Sequence, residues 1–317
     1  MLSRVAESLF WMGRNVERAE TIARILDVSY TRAMDLYTRD DGRYEQLWRS
    51  VMRAAGFVAQ PKIVTPDRVA HETLAHCLFD RGNPNSIVSA VRIVRTNALG
   101  IRAELTTELW QVVNVLYLYV EGQSLRSAVR EGPARFLKHV REATQAFAGV
   151  ADATLSHGDA WCFLQTGRFL ERAYLTARML DASDVEREPW QESQRLLEMC
   201  CASEPFIHYS HDAPEPRDAH AYIVLAVDCP RSMRFALREI DLALHRISNT
   251  PEGTFANAAE RRVGRLRARL DFASADELFA SGIDALATGM LGDLLGLSSE
   301  IESAYFPRLP SAIGGSL

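Results

Sequence analysis

Two stretches of this 317-residue chain carry the same charged side chains at the same spacing. Residues 9–27 read LFWMGRNVERAETIARILD, and residues 163–181 read FLQTGRFLERAYLTARMLD. Nine of the nineteen positions agree at an offset of 154, where composition alone gives about one or two. The shared residues include Gly13/Gly167, Arg14/Arg168, Glu17/Glu171 and Arg18/Arg172. A carboxylate set among arginines has several chemistries open to it. The arginine fork suits paired carboxylates and can lock helices together. The same arginines can take a carboxylate or phosphoryl ligand, or dock a partner. Glu17 or Glu171 can also serve as a general base, because neighbouring arginines favour the ionised form. These two glutamates are therefore the candidate catalytic residues. Arg14, Glu17, Arg18, Arg168, Glu171 and Arg172 are the candidate binding residues, and Arg102 and Asn114 are candidates to line the same cleft.

Other constellations carry less. His71 and His76 are five residues apart, about 140° around a helix, so they do not share a face as zinc-binding histidines at i and i+4 do. His208, His211 and Asp212 lie in a polar, proline-rich loop, where nearby histidines are usually just solvated. No metal site and no cofactor is expected. The five cysteines (Cys77, Cys162, Cys200, Cys201 and Cys229) show no C-x-x-C spacing and read as buried free thiols. There is no P-loop lysine motif, no G-x-S-x-G elbow and no glycine-rich dinucleotide fingerprint. The densest basic run is ERRVGRLRARLD, with Arg261, Arg262, Arg265, Arg267 and Arg269. A solvated helix face and a docking site for an acidic partner both fit it.

Helices must position these side chains. Apolar residues recur at helical spacing between glycine and proline punctuation, and strand-like alternation is scarce. The pattern predicts an all-α bundle of about 11–12 helices. They fall near 3–37, 43–55, 67–79, 85–121 (with a break near Gly100), 133–156, 159–182, 189–202, 216–227, 230–248, 254–272 and 283–305. A weaker echo joins Pro84, Ser86, Ala90 and Arg92 to Pro230, Ser232, Ala236 and Arg238 at an offset of 146. The expected organisation is one domain over 1–306, built from two pseudo-repeated units of about 1–156 and 157–306, with a loose tail at 307–317.

On a helix, Leu9, Met12, Val16, Ala19, Ala23, Leu26 and Tyr30 form one seam, and Phe163, Thr166, Leu170, Ala173, Ala177 and Leu180 form its counterpart. Alanines at mid-seam are expected to bring the two motif helices together, and Gly13 and Gly167, beside the seam, are expected to serve the same close approach. A helix-interior glycine costs about 0.5–1 kcal/mol relative to alanine, and its presence in both stretches points to a clash with anything larger. Arg14, Glu17 and Arg18 then fall on the opposite face. Solvated positions drift easily because surface changes cost under about 0.5 kcal/mol, so an unchanged charged face is expected to be buried or to line a cleft.

Composition sets outer limits. Hydrophobic residues make up 47% of the chain, and 36 basic against 41 acidic residues give a net charge of −5. That balance argues against nucleic-acid binding, which needs a basic stripe. No apolar run reaches the ~18 residues of a membrane span, and the start does not read as a signal peptide. A cytoplasmic location is expected. All the basic residues except Lys62 and Lys138 are arginine.

The G-R-x-x-E-R-A helix, repeated midway along the chain, resembles the bacterial alpha-E family, and the resemblance runs over about residues 1–306. Segment 95–118 fits through Arg95, Asn97, Ala98, Arg102, Glu108, Trp110 and Asn114, but departs where Thr96, Leu99 and Ala103 replace charged residues of the family pattern. The resemblance implies a context rather than a reaction. Such proteins stand beside, or fused to, circularly permuted ATP-grasp proteins resembling peptide or amide ligases, with transglutaminase-like peptidases nearby. The expected function is an accessory or binding protein of an amide-forming or peptide-modifying system. It would bind the ATP-grasp partner or a peptide. The open alternatives are an enzyme using Glu17 or Glu171 as base beside an arginine-lined carboxylate or phosphate site, and a purely structural scaffold.

Overall fold

The structure is a computed structural model. It describes residues 1–37, 42–57, 66–183, 188–210 and 213–307. Lys62, His211, Asp212 and nearly all of the expected tail lie outside the described residues. The described residues form fifteen α-helices, one 3-10 turn and no strand. The first seven helices are α1 (Ser3–Leu36), α2 (Arg43–Ala54), α3 (Pro66–Leu78), α4 (Ile87–Gly100), α5 (Thr107–Glu121), α6 (Leu125–Glu131) and α7 (Pro133–Thr154). They are followed by α8 (Asp159–Asp181), α9 (Pro189–Met199), α10 (Ser203–Tyr209), α11 (Pro216–Leu225), α12 (Met233–Ser248), α13 (Ala258–Phe272), α14 (Ala275–Leu278) and α15 (Ile283–Tyr305). The long helices fall where the periodicity places them. The expected number was too low because α6, α10 and α14 are too short to show a period, and because a 3-10 turn at Arg102–Glu104 divides the 85–121 stretch.

Helix starts follow the local chemistry. Ser86 caps α4, Thr106 caps α5 and Ser232 caps α12, each by accepting a hydrogen bond from a first-turn backbone N–H. Ser86 and Ser232 are fully buried, and each donates its hydroxyl to the carbonyl six residues earlier, that of Asp80 and Ala226 respectively. Capping boxes open α6 and α14. Gly132 and Gly282, both at positive φ, turn the chain into α7 and α15.

Packing centres on α1 and α8, which make the most extensive contact in the molecule. α1 also packs on α4 and α7, while α8 packs on α12 and α15. The outer pairs are α4 with α5 and α5 with α7 on one side, and α12 with α13 and α13 with α15 on the other. With neighbours all round, the middle of α1 is buried on every face, without interruption from Met12 to Glu17 and again from Ala19 to Leu26. A helix so enclosed places some polar side chains in the interior, and these need internal partners.

Candidate functional site

The two motif helices do not meet along the alanine seam. They meet on the glycine and charged face, which overturns the expected arrangement. A Cβ on Gly13 would lie 2.2 Å from the Leu164 carbonyl oxygen, and one on Gly167 would lie 2.1 Å from that of Phe10. Each glycine therefore admits the backbone of the other helix, and each meets the residue three before its counterpart. The seam residues Ala19, Ala23, Ala173 and Ala177 are fully buried too, on the sides of α1 and α8 turned away from this crossing.

At the crossing the charges pair reciprocally. Glu171 is fully buried; its Oε2 accepts from Arg14 Nε at 2.8 Å and its Oε1 from Arg18 Nε at 2.6 Å. Glu17 is also buried and takes a two-point contact from Arg172, Nε to Oε1 at 2.7 Å and Nη2 to Oε2 at 2.8 Å. The glutamate of each Glu-Arg pair thus accepts from the arginine of the other. Bidentate arginine–carboxylate geometry is among the stronger hydrogen-bonded arrangements. Burial pushes both carboxyls up, but the arginines outweigh it. Glu17 is held at about 2 by Arg172, Arg231 and Arg168, and Glu171 is held below the ordinary carboxylate range by Arg18 and Arg14. Neither acid is poised to carry a proton near neutral pH, and each of their oxygens already accepts from a guanidinium.

The surroundings of the two acids differ. On the Glu171 side, Arg14 Nη1 donates to Ser298 Oγ at 2.9 Å, and Ser298 passes a bond to Glu302 on α15. The Arg14 guanidinium also lies 5.0 Å from the Trp11 ring. On the Glu17 side, Arg231 reaches Glu17 Oε1 at 3.4 Å and pairs with Glu20, which also pairs with Arg24. Arg172 Nη1 anchors the Pro230 carbonyl at 3.0 Å. Arg168, the counterpart of Arg14, is worse served. Its Nη1 donates to Gln165 Oε1 at 2.9 Å, but its buried Nε, 4.0 Å from Glu17 Oε2, has no hydrogen-bond acceptor. Burial and then the neighbouring Arg172 push its pKa down to about 10.

Arg231, Glu20, Arg24 and Ser298 were not singled out from sequence. Arg231 follows Pro230 in the weaker echo, and Arg24 is one of the nine shared positions, so both had a signal. Glu20 aligns with Tyr174 in the second stretch, which pointed away from it. Ser298 had no signal.

The structure does not bring Arg102 or Asn114 to this cluster. Asn114 Oδ1 accepts from Arg95 Nε at 2.9 Å. Arg102 lies 5.3 Å from the Trp110 ring and donates to the Leu105 carbonyl. Both belong to the α4–α5 region, and α5 packs on α4 and α7 rather than on the motif helices. Two larger cavities also lie away from the crossing. One of about 480 Å³ is bordered by Tyr30, Trp48 and His71, and one of about 600 Å³ opens between α12 and α13. His76 pairs with Asp80 at 2.7 Å. Among the described residues no group of three or more histidine, cysteine or acidic side chains is arranged to hold a metal ion. Cys77, Cys162, Cys200 and Cys229 are buried free thiols; Cys201 is exposed, contrary to expectation, at a positive φ of 49° just after α9. No described helix is long and apolar enough to cross a membrane.

These features define an all-helical protein organised around a reciprocal, buried Glu-Arg crossing. The chain belongs to the Alpha-E family, whose model, described as a predicted alpha-helical domain with a conserved ER motif, matches residues 1–306. Uncharacterized proteins of Mycobacterium bovis and of two strains of Mycobacterium tuberculosis are 25% identical to it over 94% of this chain and 35% of their own length. The chain thus spans about a third of the length of these relatives. No solved structure matches it.

Proposed function

We propose that this protein is a cytoplasmic helical accessory module that binds a circularly permuted ATP-grasp-like ligase or its peptide substrate, and that its Glu-Arg motif holds the module together. One observation carries this reading: both motif glutamates are buried and fully engaged by arginines of the opposite helix. A base must reach a substrate proton, and these carboxylates are buried, with each oxygen already accepting from a guanidinium. The relatives, in which a matching stretch is one part of a much longer chain, support a module that works with other domains. The ligase partner itself rests on the family resemblance. A transglutaminase-like peptidase is a further candidate partner on the same ground.

The test is co-expression with the circularly permuted ATP-grasp protein of the same genome, followed by size-exclusion chromatography and a ligase assay. A co-eluting complex with altered ligase turnover is the expected result. Separate elution together with unchanged turnover would overturn the proposal.

A second reading has one observation in its favour. The Arg168 Nε is buried without an acceptor, while the Arg14 Nε in the equivalent place donates to Glu171. A small carboxylate ligand would supply the missing acceptor. Thermal shift with succinate, absent in Arg168→Gln, checks it.

A further inference from the structure

The arginine-rich run on α13 is where charges are left over. Arg262 pairs with Glu300 at 2.7 Å, Arg267 with Asp241 at 2.7 Å and Asp271 at 3.2 Å, and Arg269 lies 3.7 Å from Asp293. Arg261 and Arg265 are exposed and make no ion pair among the described residues. Both line the 600 Å³ groove between α12, the 249–257 loop and α13. Phe272 lines it too and, at 88% exposure, is the most exposed large apolar side chain described. Phe255, on the loop wall, is 54% exposed, with the Arg261 guanidinium 5.0 Å from its ring.

These residues form a stripe. Arg261, Arg265, Ala268 and Phe272 follow a 4-3-4 spacing and run about 16 Å along one face of α13. The opposite wall is braced. His245 on α12 has Nδ1 at 2.8 Å from its own Asp241 carbonyl and Nε2 at 3.0 Å from the Thr254 carbonyl, so the loop is tied to α12. Glu260, buried at the start of α13, accepts from the Ala256 N–H, from Asn257 and from the Tyr305 hydroxyl. The groove is therefore built before anything enters it, and binding there costs little ordering of the protein.

We infer that this groove binds an acidic polypeptide segment in extended form, with two carboxylates on Arg261 and Arg265 and an aromatic or aliphatic anchor on Phe272. Cβ atoms at i and i+4 of a helix are about 6 Å apart, close to the ~6.6 Å between alternate residues of an extended chain. Phe272 lies about 10 Å beyond Arg265, roughly three extended residues. The matching pattern is acid-x-acid, then an apolar residue three positions on, in either chain direction. A nucleic acid fits less well. Its binding requires many phosphate contacts along a continuous basic track, whereas the groove offers only two unpaired guanidiniums, enough for two carboxylates. Asp241 and Asp271 are matched by Arg267, and Glu252 is the one lining acid without a partner among the described residues. This inference deepens the accessory-module reading by giving the partner's chemistry. Its test needs no ATP-grasp protein, so either can fail without the other.

The experiment is fluorescence anisotropy of the full chain with a labelled peptide, Gly-Glu-Ser-Glu-Ser-Ser-Phe-Gly, at low salt. Saturable binding is expected, weakened about tenfold or more by exchanging both glutamates of the peptide for glutamine, by Arg261→Gln/Arg265→Gln, and by raising salt. Phe272→Ser should weaken it independently of salt. The altered side chains are exposed, and an unchanged thermal unfolding midpoint verifies that the variants fold. Three results would overturn the inference: no binding at millimolar peptide, equal binding of the glutamine peptide, or undiminished binding by the double variant. Tighter, Arg261- and Arg265-dependent binding of a single-stranded oligonucleotide would overturn it as well.

Discussion

At the α1–α8 crossing each oxygen of both motif carboxylates meets a guanidinium, whereas along α13 two guanidiniums face solvent with no acid to meet. The side chain is the same in both regions, and the surroundings decide what it does. At the crossing, Arg14 and Arg172 are nearly sequestered from water, so their charges are tolerable only because Glu171 and Glu17 lie opposite. On α13, water solvates Arg261 and Arg265, and nothing inside the protein depends on them. Internal arginines hold the fold, and leftover surface arginines are free to recognise something else.

The largest effect should come from taking one acid out of the crossing. Glu171→Gln leaves the buried Arg14 and the half-buried Arg18 without a counter-charge, which is expected to cost about 3–5 kcal/mol, read as a shift in the urea midpoint. If Glu171 were instead a base in an otherwise self-sufficient fold, the variant would keep its midpoint. Next comes Gly167→Ala. Its added methyl would press on the Phe10 carbonyl at 2.1 Å, and about 1–3 kcal/mol or more is expected, whereas Gly289→Ala, with open space around it, should leave the midpoint unchanged or raised.

The pH dependence is a third way to separate the regions. Glu17 is depressed from 4.5 to about 2 in the folded protein. Below its ordinary value the unfolded chain binds the proton and the folded one does not, so this stabilisation is fully present above about 4.5 and fades as pH falls toward about 2. Circular dichroism between pH 6 and pH 2 should show stability falling across that window. The smallest effect belongs to Arg261→Gln/Arg265→Gln, expected to move stability by under about 0.5 kcal/mol. A large loss there would erase the distinction between the two regions.

Periodicity was enough to locate the long helices, and the shared G-R-x-x-E-R-A stretch was enough to mark Arg14, Glu17, Arg168 and Glu171 as a charged face in contact with something other than water, but it placed that face away from the partner helix. What it could not show was which face meets which. Alanine and glycine both permit close packing, and only the backbone path shows that Gly13 and Gly167 mark the contact. Arg231 and Ser298 come from helices or turns far along the chain, and pairing across 284 residues, as between Arg14 and Ser298, leaves no local pattern. Of the five arginines in the α13 run, the sequence could not separate those paired with Asp241, Asp293 and Glu300 from the two left unpaired, because their acids sit on other helices.

Because the acid in each half is neutralised only by bases from the other, neither half is electrostatically complete by itself. A polypeptide cleaved once at the α7–α8 connection, around Ser156–His157, should stay together as a two-piece protein. Its separated fragments, each carrying stranded charge, should regain helical structure only when mixed.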